Sequence, residues 1–328
     1  MLTFEGFLGF WTEQWVWLSL IAALGYAIVG FIDEWLLDKH QKIDDDGRKQ
    51  DAAGKLVIIS GIFGFVLSLV FAVVALFTGG IFQLMVSESS ILLAFAAGAL
   101  EVAWLIPYLY AMQRSGALSA TPLFQTIPVF SLILGLTVFG EIPEGQHIIG
   151  ALIIVTGSFL LNFKIRQFHA DFATLALMAL ASGMISLEYF FFKDAATSDT
   201  FMAAAFWSGL GMLGMSAAVW VIWPPYRRQF EEYLSEATGR NIAIQFSNEG
   251  LNTASALASQ LAIARGPSVM LVASLNAFHP VFTLVIGWIL ALTGSQVHRR
   301  ELSGSDAYRK SIAIVMIALG TAVISLAD

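Results

Sequence analysis

Cysteine is absent from all 328 residues, which excludes a disulfide framework and any thiolate metal site. Charge is also scarce: 12% of residues are charged against 57% hydrophobic, and the mean hydropathy is +0.75. Soluble domains do not have that balance, so the solvent for most of this chain is a bilayer. No basic residue precedes the first apolar run in Met1 to Glu13 and no small-residue cleavage site follows it, so the first span should stay in place. The sequence has no phosphate-cradling glycine loop, and direct use of ATP is not expected. It also has no His-Glu-x-x-His pair and no Gly-x-Ser-x-Gly elbow, which removes the usual hydrolase signatures. No cofactor, no metal and no nucleic-acid partner is expected. The net charge of −7 sums loops on two sides of a membrane and says nothing about partners.

A hydrocarbon core about 30 Å thick needs roughly 20 apolar residues at about 1.5 Å each. Ten segments meet that need: 15–37, 56–78, 91–112, 117–139, 147–163, 172–192, 200–223, 241–264, 267–292 and 309–327, the eighth being the least hydrophobic. The longest separators are three polar stretches, Asp38 to Lys55, Trp223 to Arg240 and Gly294 to Tyr308, and none has room for a soluble domain. Lysine and arginine stay on the cytoplasmic side of a membrane. Loops after the odd-numbered spans carry 15 of the 17 basic residues, and the other side has only Lys193 and Arg265. Both termini are therefore expected outside a multi-pass protein of the cell (plasma) membrane.

Sliding the chain along itself by about 151 to 155 residues superimposes similar segments. Leu100-Glu101 through Gly116 falls over Leu251-Asn252 through Pro267, and after a one-residue gap Pro128-Val129-Phe130 falls over Pro280-Val281-Phe282. Ile32-Asp33 lies over Leu187-Glu188, and further out, at a longer offset, Gly157 in the fifth span falls over Gly320 in the tenth. The repeats are residues 1–165 and 166–328. Each has five spans, an odd number, so the second copy enters the membrane upside down relative to the first. Inverted repeats of this kind are common in secondary transporters, where binding sites lie between the halves. The expected fold is therefore all-α integral membrane, ten transmembrane helices as two inverted five-helix repeats around a central cavity.

Polar side chains within spans mark that cavity. A carboxylate at the bilayer centre costs about 2.5–3.5 kcal/mol and turns toward protein or water. Glu101 lies mid-span, and at about 100° per residue Trp104 and Tyr108 share its face to within about 60°. It can hold a proton or a cation beside two rings, or act as a protonated hydrogen bonder between helices. Gln245, Asn248, Glu249, Asn252, Ser255, Ser259 and Gln260 form one polar arc on the eighth span, which must face water or protein. Pro128 and Pro280 free the carbonyls of Phe124 and Asn276, near Gln125 and Thr126 in one case and Asn276 and His279 in the other. Such prolines serve either a binding site or helix packing. His279, the one imidazole at membrane depth, offers a proton relay or a plain interhelical hydrogen bond. Asp33 and Glu188 suit gates at opposite mouths, or snorkel to the interface. The run Asp44-Asp45-Asp46, among Lys39, Lys42, Arg48 and Lys49, is a solvated loop.

The stretch Ala117-Leu-Ser-Ala-Thr-Pro-Leu-Phe-Gln-Thr-Ile-Pro-Val-Phe-Ser-Leu-Ile-Leu-Gly135, then Gly140-Glu141 and Ile148-Ile-Gly-Ala-Leu-Ile-Ile-Val-Thr-Gly157, resembles the EamA-type domain of the drug/metabolite transporter superfamily. His279-Pro-Val-Phe282 and Ala318-Leu-Gly320 repeat it more weakly. The resemblance implies two inverted five-helix repeats and carriage of metabolites or drugs. Familiar members have both termini in the cytoplasm, and the basic residues here point the other way.

The expected function is gradient-driven carriage of a small organic solute by alternating access, with coupling of transport to protons through Glu101, Glu249 or His279. With no lysine or arginine deep in any span, the solute should be neutral, zwitterionic or cationic. The expected partners are that solute and membrane lipid. The alternatives are a non-transporting scaffold or partner subunit, whose polar stripe would face another chain, and an intramembrane enzyme.

Overall fold

The computed structural model describes residues 11–40, 53–115, 120–162, 171–236, 238–292 and 306–326, and these are helical, with no strand among them. Helix α1 is Gln14–His40, α2 Ala53–Thr78, α3 Glu88–Ala103 and α4 Leu105–Ser115. A 3-10 turn, Thr121–Thr126, leads into α5, Ile127–Leu134, which ends in a π turn, Gly135–Phe139. Then follow α6 Gly145–Asn162, α7 Phe172–Ser198, α8 Phe201–Ile222, α9 Pro224–Glu236, α10 Gly239–Arg265, α11 Val269–Asn276, α12 His279–Leu292 and α13 Asp306–Ser325.

Seven of these helical stretches are long and apolar enough to cross a membrane: Gln14–Ile32, Gly54–Thr78, Glu88–Ser115, Phe172–Ser198, Phe201–Ile222, Val269–Ile289 and Tyr308–Ser325. Leu123–Phe139 and Gly145–Leu160 are apolar but shorter. The eighth expected span is a continuous helix of 27 residues, α10, whose polar stripe keeps it out of the apolar set. The protein is an integral, multi-pass, all-α membrane protein. Phe65, Leu69, Val73 and Phe77 of α2 and Ile149 and Leu152 of α6 are exposed on the outside, as helices facing lipid tails require.

Three prolines break the spans in ways their chemistry explains. Pro107 removes the N–H that would bond Ala103, and the chain turns at Trp104 between α3 and α4. Ahead of Pro128 the helix winds as the tighter 3-10 form, and the Thr126 hydroxyl donates to the Leu123 carbonyl at 2.6 Å. Pro280 separates α11 from α12; the Val281 amide bonds Phe278 at 2.8 Å, and Ser158 donates to the Ala277 carbonyl at 2.7 Å. Freed backbone acceptors inside a membrane need such donors. The polar stretch after α8, expected as a plain loop, contains α9. Its Tyr226 and Phe230 are buried against α2, where Gln229 accepts from the Gly54 amide at 2.7 Å. Their spacing of four residues puts both rings on one face.

The helices pack in pairs whose directions can be read from their ends. α2 and α8 run antiparallel: Ser216 donates to the Val57 carbonyl at 2.6 Å, while the Phe71 and Phe201 rings meet at the other end, 6.2 Å apart. α6 and α13 are antiparallel through Gly150 against Gly320 and Gly157 against Ala313. α1 lies antiparallel to α10, with Gln14 bonded to Arg265 and Gly25 facing Ser255. α3 and α4 lie antiparallel to α7, from Ser87 on Asp199 at 2.9 Å to Ser115 on Thr174 at 2.7 Å. Asp171 caps α7 by accepting from the Thr174 amide at 2.8 Å and pairs with Arg114 at 2.5 Å. The Arg114 hydrogen bond, then the Thr174 amide, holds the Asp171 carboxyl well below the usual carboxylate range.

Close backbone approach dictates a first prediction. A side chain at Gly98 would meet the Ser208 main chain, and nothing lies near a Cβ added at Gly145. Gly98→Val should destabilise the protein by about 1–3 kcal/mol and Gly145→Ala by under about 0.5 kcal/mol, read as thermal unfolding in detergent; equal shifts would contradict the packing. A second concerns pH. A depressed folded pKa contributes stability above the unfolded Asp value, lost as pH falls through the folded value. Melting temperature should decline below about pH 4 more steeply for wild type than for Asp171→Asn; parallel profiles would remove the pair from acid stability.

Candidate solute site

Five helices wall an internal cavity, and its lining includes Ser60 of α2, Glu101 of α3, Trp104 at the break, Leu105 of α4, Met212 of α8, and Glu249, Asn252 and Thr253 of α10. Gln260, two turns further along α10, lines it too, and no lining residue is basic. In this state the cavity offers about 20 Å³, room for about one water. A larger groove of about 610 Å³, between α4 and α7 at Tyr110, Arg114 and Leu180, opens to the outside of the bundle and contains no carboxyl.

The three buried glutamates are held to different degrees. Glu249 Oε1 accepts from the Ser60 hydroxyl at 2.8 Å and from Asn252 at 3.4 Å. Glu188 is fully buried midway along α7; its Oε1 accepts from Gln260 at 3.1 Å, and its Oε2 has no hydrogen-bond partner. Glu101 is half-buried at the wall, within electrostatic range of both. Tyr26 of α1 and Tyr189 of α7 lie within range of Glu101 and Glu188. A second polar patch adjoins these: Asn276 donates to Ser259 at 2.7 Å, its Oδ1 is unpartnered, and the Tyr189 hydroxyl bonds both. The turn at Pro280 positions it, because α11 ends at Asn276 and leaves that side chain facing α10.

Trp104 is backed by aromatic rings. Its centroid is 5.7 Å from Tyr108 and 5.6 Å edge-on from Phe124, and Tyr108 and Phe124 are 4.8 Å apart. The buried Trp104 indole N–H is within reach of the Glu101 carboxyl, although its geometry falls short of a well-formed hydrogen bond. Offset and edge-to-face rings of this kind form a firm wall.

Of the residues singled out from the sequence, Glu101, Trp104, Glu249 and Asn252 meet in the cavity, and Tyr108 stands behind Trp104. Gln245 and Asn248 are buried on the same face of α10 but off the lining, and Gln125 is buried in the 3-10 turn. His279 bonds the main chain of Tyr26 in α1, the plain interhelical role. Glu188, placed at a mouth by the repeat, is instead deep in the bundle, where Gln260 compensates its burial. The Asp33 side chain lies outside the described residues. Ser60, Thr253, Tyr26 and Tyr189 escaped sequence reading. Ser60 is one of three scattered hydroxyls in a largely apolar helix, with Ser68 and Thr78, and the tyrosines belong to spans whose apolar pattern does not mark a face.

At one end of the bundle a charged clamp joins three segments. Glu141 Oε1 accepts from Lys193 at 2.6 Å and its Oε2 from the Val269 amide, at the start of α11, at 2.8 Å. Lys193 also reaches the Pro267 carbonyl at 3.4 Å. Gly140, in the left-handed region at φ 71°, turns the chain so that Glu141 folds back over the end of α7. The clamp thus ties three sequence-distant segments together, and Gln14 and Arg265 lie at the same end of the bundle.

A crystal structure of another protein superposes with a TM-score of 0.65 over 94% of this chain and 95% of that one, at 16% identity, which is a likeness of fold alone. No curated protein matches the sequence. Residues 13–163, which contain the Ala117 to Gly157 motifs and Glu101, match the EamA-like transporter family. The likeness to that family extends over those residues, just under half of the chain.

Proposed function

We propose that the protein is a secondary carrier of a small organic solute, with ten spans arranged as two inverted five-helix repeats around the Glu101 cavity. The observation that carries this reading is a polar, carboxyl-lined cavity enclosed by helices from both halves of a membrane protein. The packing supports the repeat. In the alignment that sets Gly157 on Gly320, Gly150 falls on Ala313, and the contacts Gly150–Gly320 and Gly157–Ala313 exchange under that two-fold. Helices α3 on α7 and α10 on α1 are likewise equivalent pairs, as are α5 on α7 and α12 on α1. The polar stripe of α10 is buried within this chain, opposite to what a partner-facing stripe requires.

Alternating access follows from this arrangement. The cavity of about 20 Å³ fits a closed state, in which the Glu141–Lys193–Val269 clamp would hold one mouth shut. Opening that mouth separates Glu141 from Lys193 and α11, and the solute then reaches Glu101. Glu101, the least tied of the three carboxyls, carries the proton that couples transport to a pH gradient. Glu249, held by Ser60 and Asn252, sets the cavity shape around it.

Glu101→Gln should cut gradient-driven uptake into proteoliposomes about tenfold or more, the scale of one lost charge-assisted contact, with Glu249→Gln also impaired; wild-type uptake by both folded variants would overturn the assignment. The clamp has its own test, because the chain has no native cysteine. Thr253→Cys should label slowly with an impermeant thiol reagent applied at the clamped mouth. Adding Glu141→Gln should raise that rate roughly five- to thirtyfold, as about 1–2 kcal/mol of lost closure dictates; an unchanged rate would exclude the clamp as a gate.

A further inference from the structure

We infer that the solute is an organic amine, bound as a cation with its ammonium between Glu101 and Glu188 and its apolar body against Trp104. The inference rests on the carrier reading above and narrows it to one substrate class.

Charge is the first argument. Glu101 lies within electrostatic range of Glu188 and Glu249, and no lysine or arginine lines the cavity. The groups that face Glu101 from its packed neighbours are Tyr26 of α1, Glu188 and Tyr189 of α7 and Glu249 of α10, with the His279 imidazole tied to the Tyr26 main chain beyond them. All but the histidine are neutral or negative. Three carboxyls at membrane depth cannot all stay ionised without a counter-charge. Protons supply it in the empty site, and a cation supplies it in the loaded one.

Hydrogen-bonding capacity is the second argument, and it is independent of charge. Thr253 Oγ1 at the cavity wall, Glu188 Oε2 behind the lining residue Gln260, and Asn276 Oδ1 on the adjoining Ser259 patch all lack a partner, and each can accept a hydrogen bond. An ammonium is a donor without acceptor capacity, the complement of such a set. A ligand carboxylate adds one more acceptor and one more negative charge to a site that already has a surplus of both. Anions and zwitterions are thereby disfavoured.

The third argument is shape. Trp104 lines the cavity with Tyr108 and Phe124 stacked behind it. An aromatic wall next to a carboxyl holds a cation through the ring face and an aryl or alkyl body through apolar contact. With one carboxyl proton leaving for each ammonium that arrives, the charge inside the cavity is unchanged across the exchange, and so proton and amine compete for one place.

The probes are phenethylamine, phenylalanine and phenylacetate, which share a ring and differ in charge. Binding to the purified full-length protein in detergent should be saturable for phenethylamine, at least tenfold weaker for phenylalanine and undetectable for phenylacetate. Phenethylamine affinity should fall by about tenfold per pH unit on acidification where one proton is displaced. In Glu101→Gln it should be at least tenfold weaker and lose that slope, and Glu101→Asp should retain the slope. Absence of saturable amine binding by wild type, tighter binding of phenylalanine or phenylacetate, or a pH-independent amine affinity would each overturn the proposal. Counterflow in proteoliposomes separates the two readings: exchange of phenylalanine without phenethylamine rejects the amine and leaves the carrier, and amine binding with no counterflow of any probe keeps the amine site and rejects the carrier.

Discussion

The low dielectric of the bilayer core is the constraint on which the rest of this structure depends. Every carboxyl, amide and hydroxyl placed there must find a protein partner or a wet cavity, because lipid tails offer none. Glu188 finds Gln260, Glu249 finds Ser60 and Asn252, and Asn276 finds Ser259. Those bonds tie α2, α7 and α11 to α10 around a common interior. The apolar helices could pack in several ways at little cost. The polar ones cannot, and they set the arrangement.

Backbone irregularity serves the same end. Breaks at Trp104 and at Ala277 fall beside the polar groups, where Pro107 and Pro280 withdraw main-chain donors. Ser158 repairs one freed carbonyl. Elsewhere the helices stay regular and pack through small residues, such as Gly98 against Ser208 and Gly150 against Gly320. The result is a tight, dry scaffold with its polar and irregular parts gathered at the cavity, and a clamp at Glu141 where three segments meet.

Much of this could be read before any coordinates. The α10 stripe is a periodic signal of seven polar residues on one arc, and its burial followed from the physics of lipid. Glu101 with Trp104 and Tyr108 on one face followed from helical periodicity. Other features left no periodic trace. Tyr26 and Tyr189 look like ordinary interfacial aromatics in sequence, and nothing in the pattern separates Ser60 from Ser68 and Thr78 of the same apolar helix. Helix α9 was hidden because its few apolar residues, Tyr226 and Phe230 among them, are too sparse to register as a span. The depth of Glu188 was misplaced because α7 extends to Ser198, several residues beyond the expected end of that span.

The sequence by itself determined that the chain lives in a membrane and which helix faces are polar, since composition and periodicity are local properties that solvent acts on directly. Tertiary structure alone decided which polar faces meet. That Glu101 shares a cavity with Glu249 but His279 is spent on the Tyr26 backbone depends on helix rotation and crossing, set by side-chain packing among segments far apart in the chain.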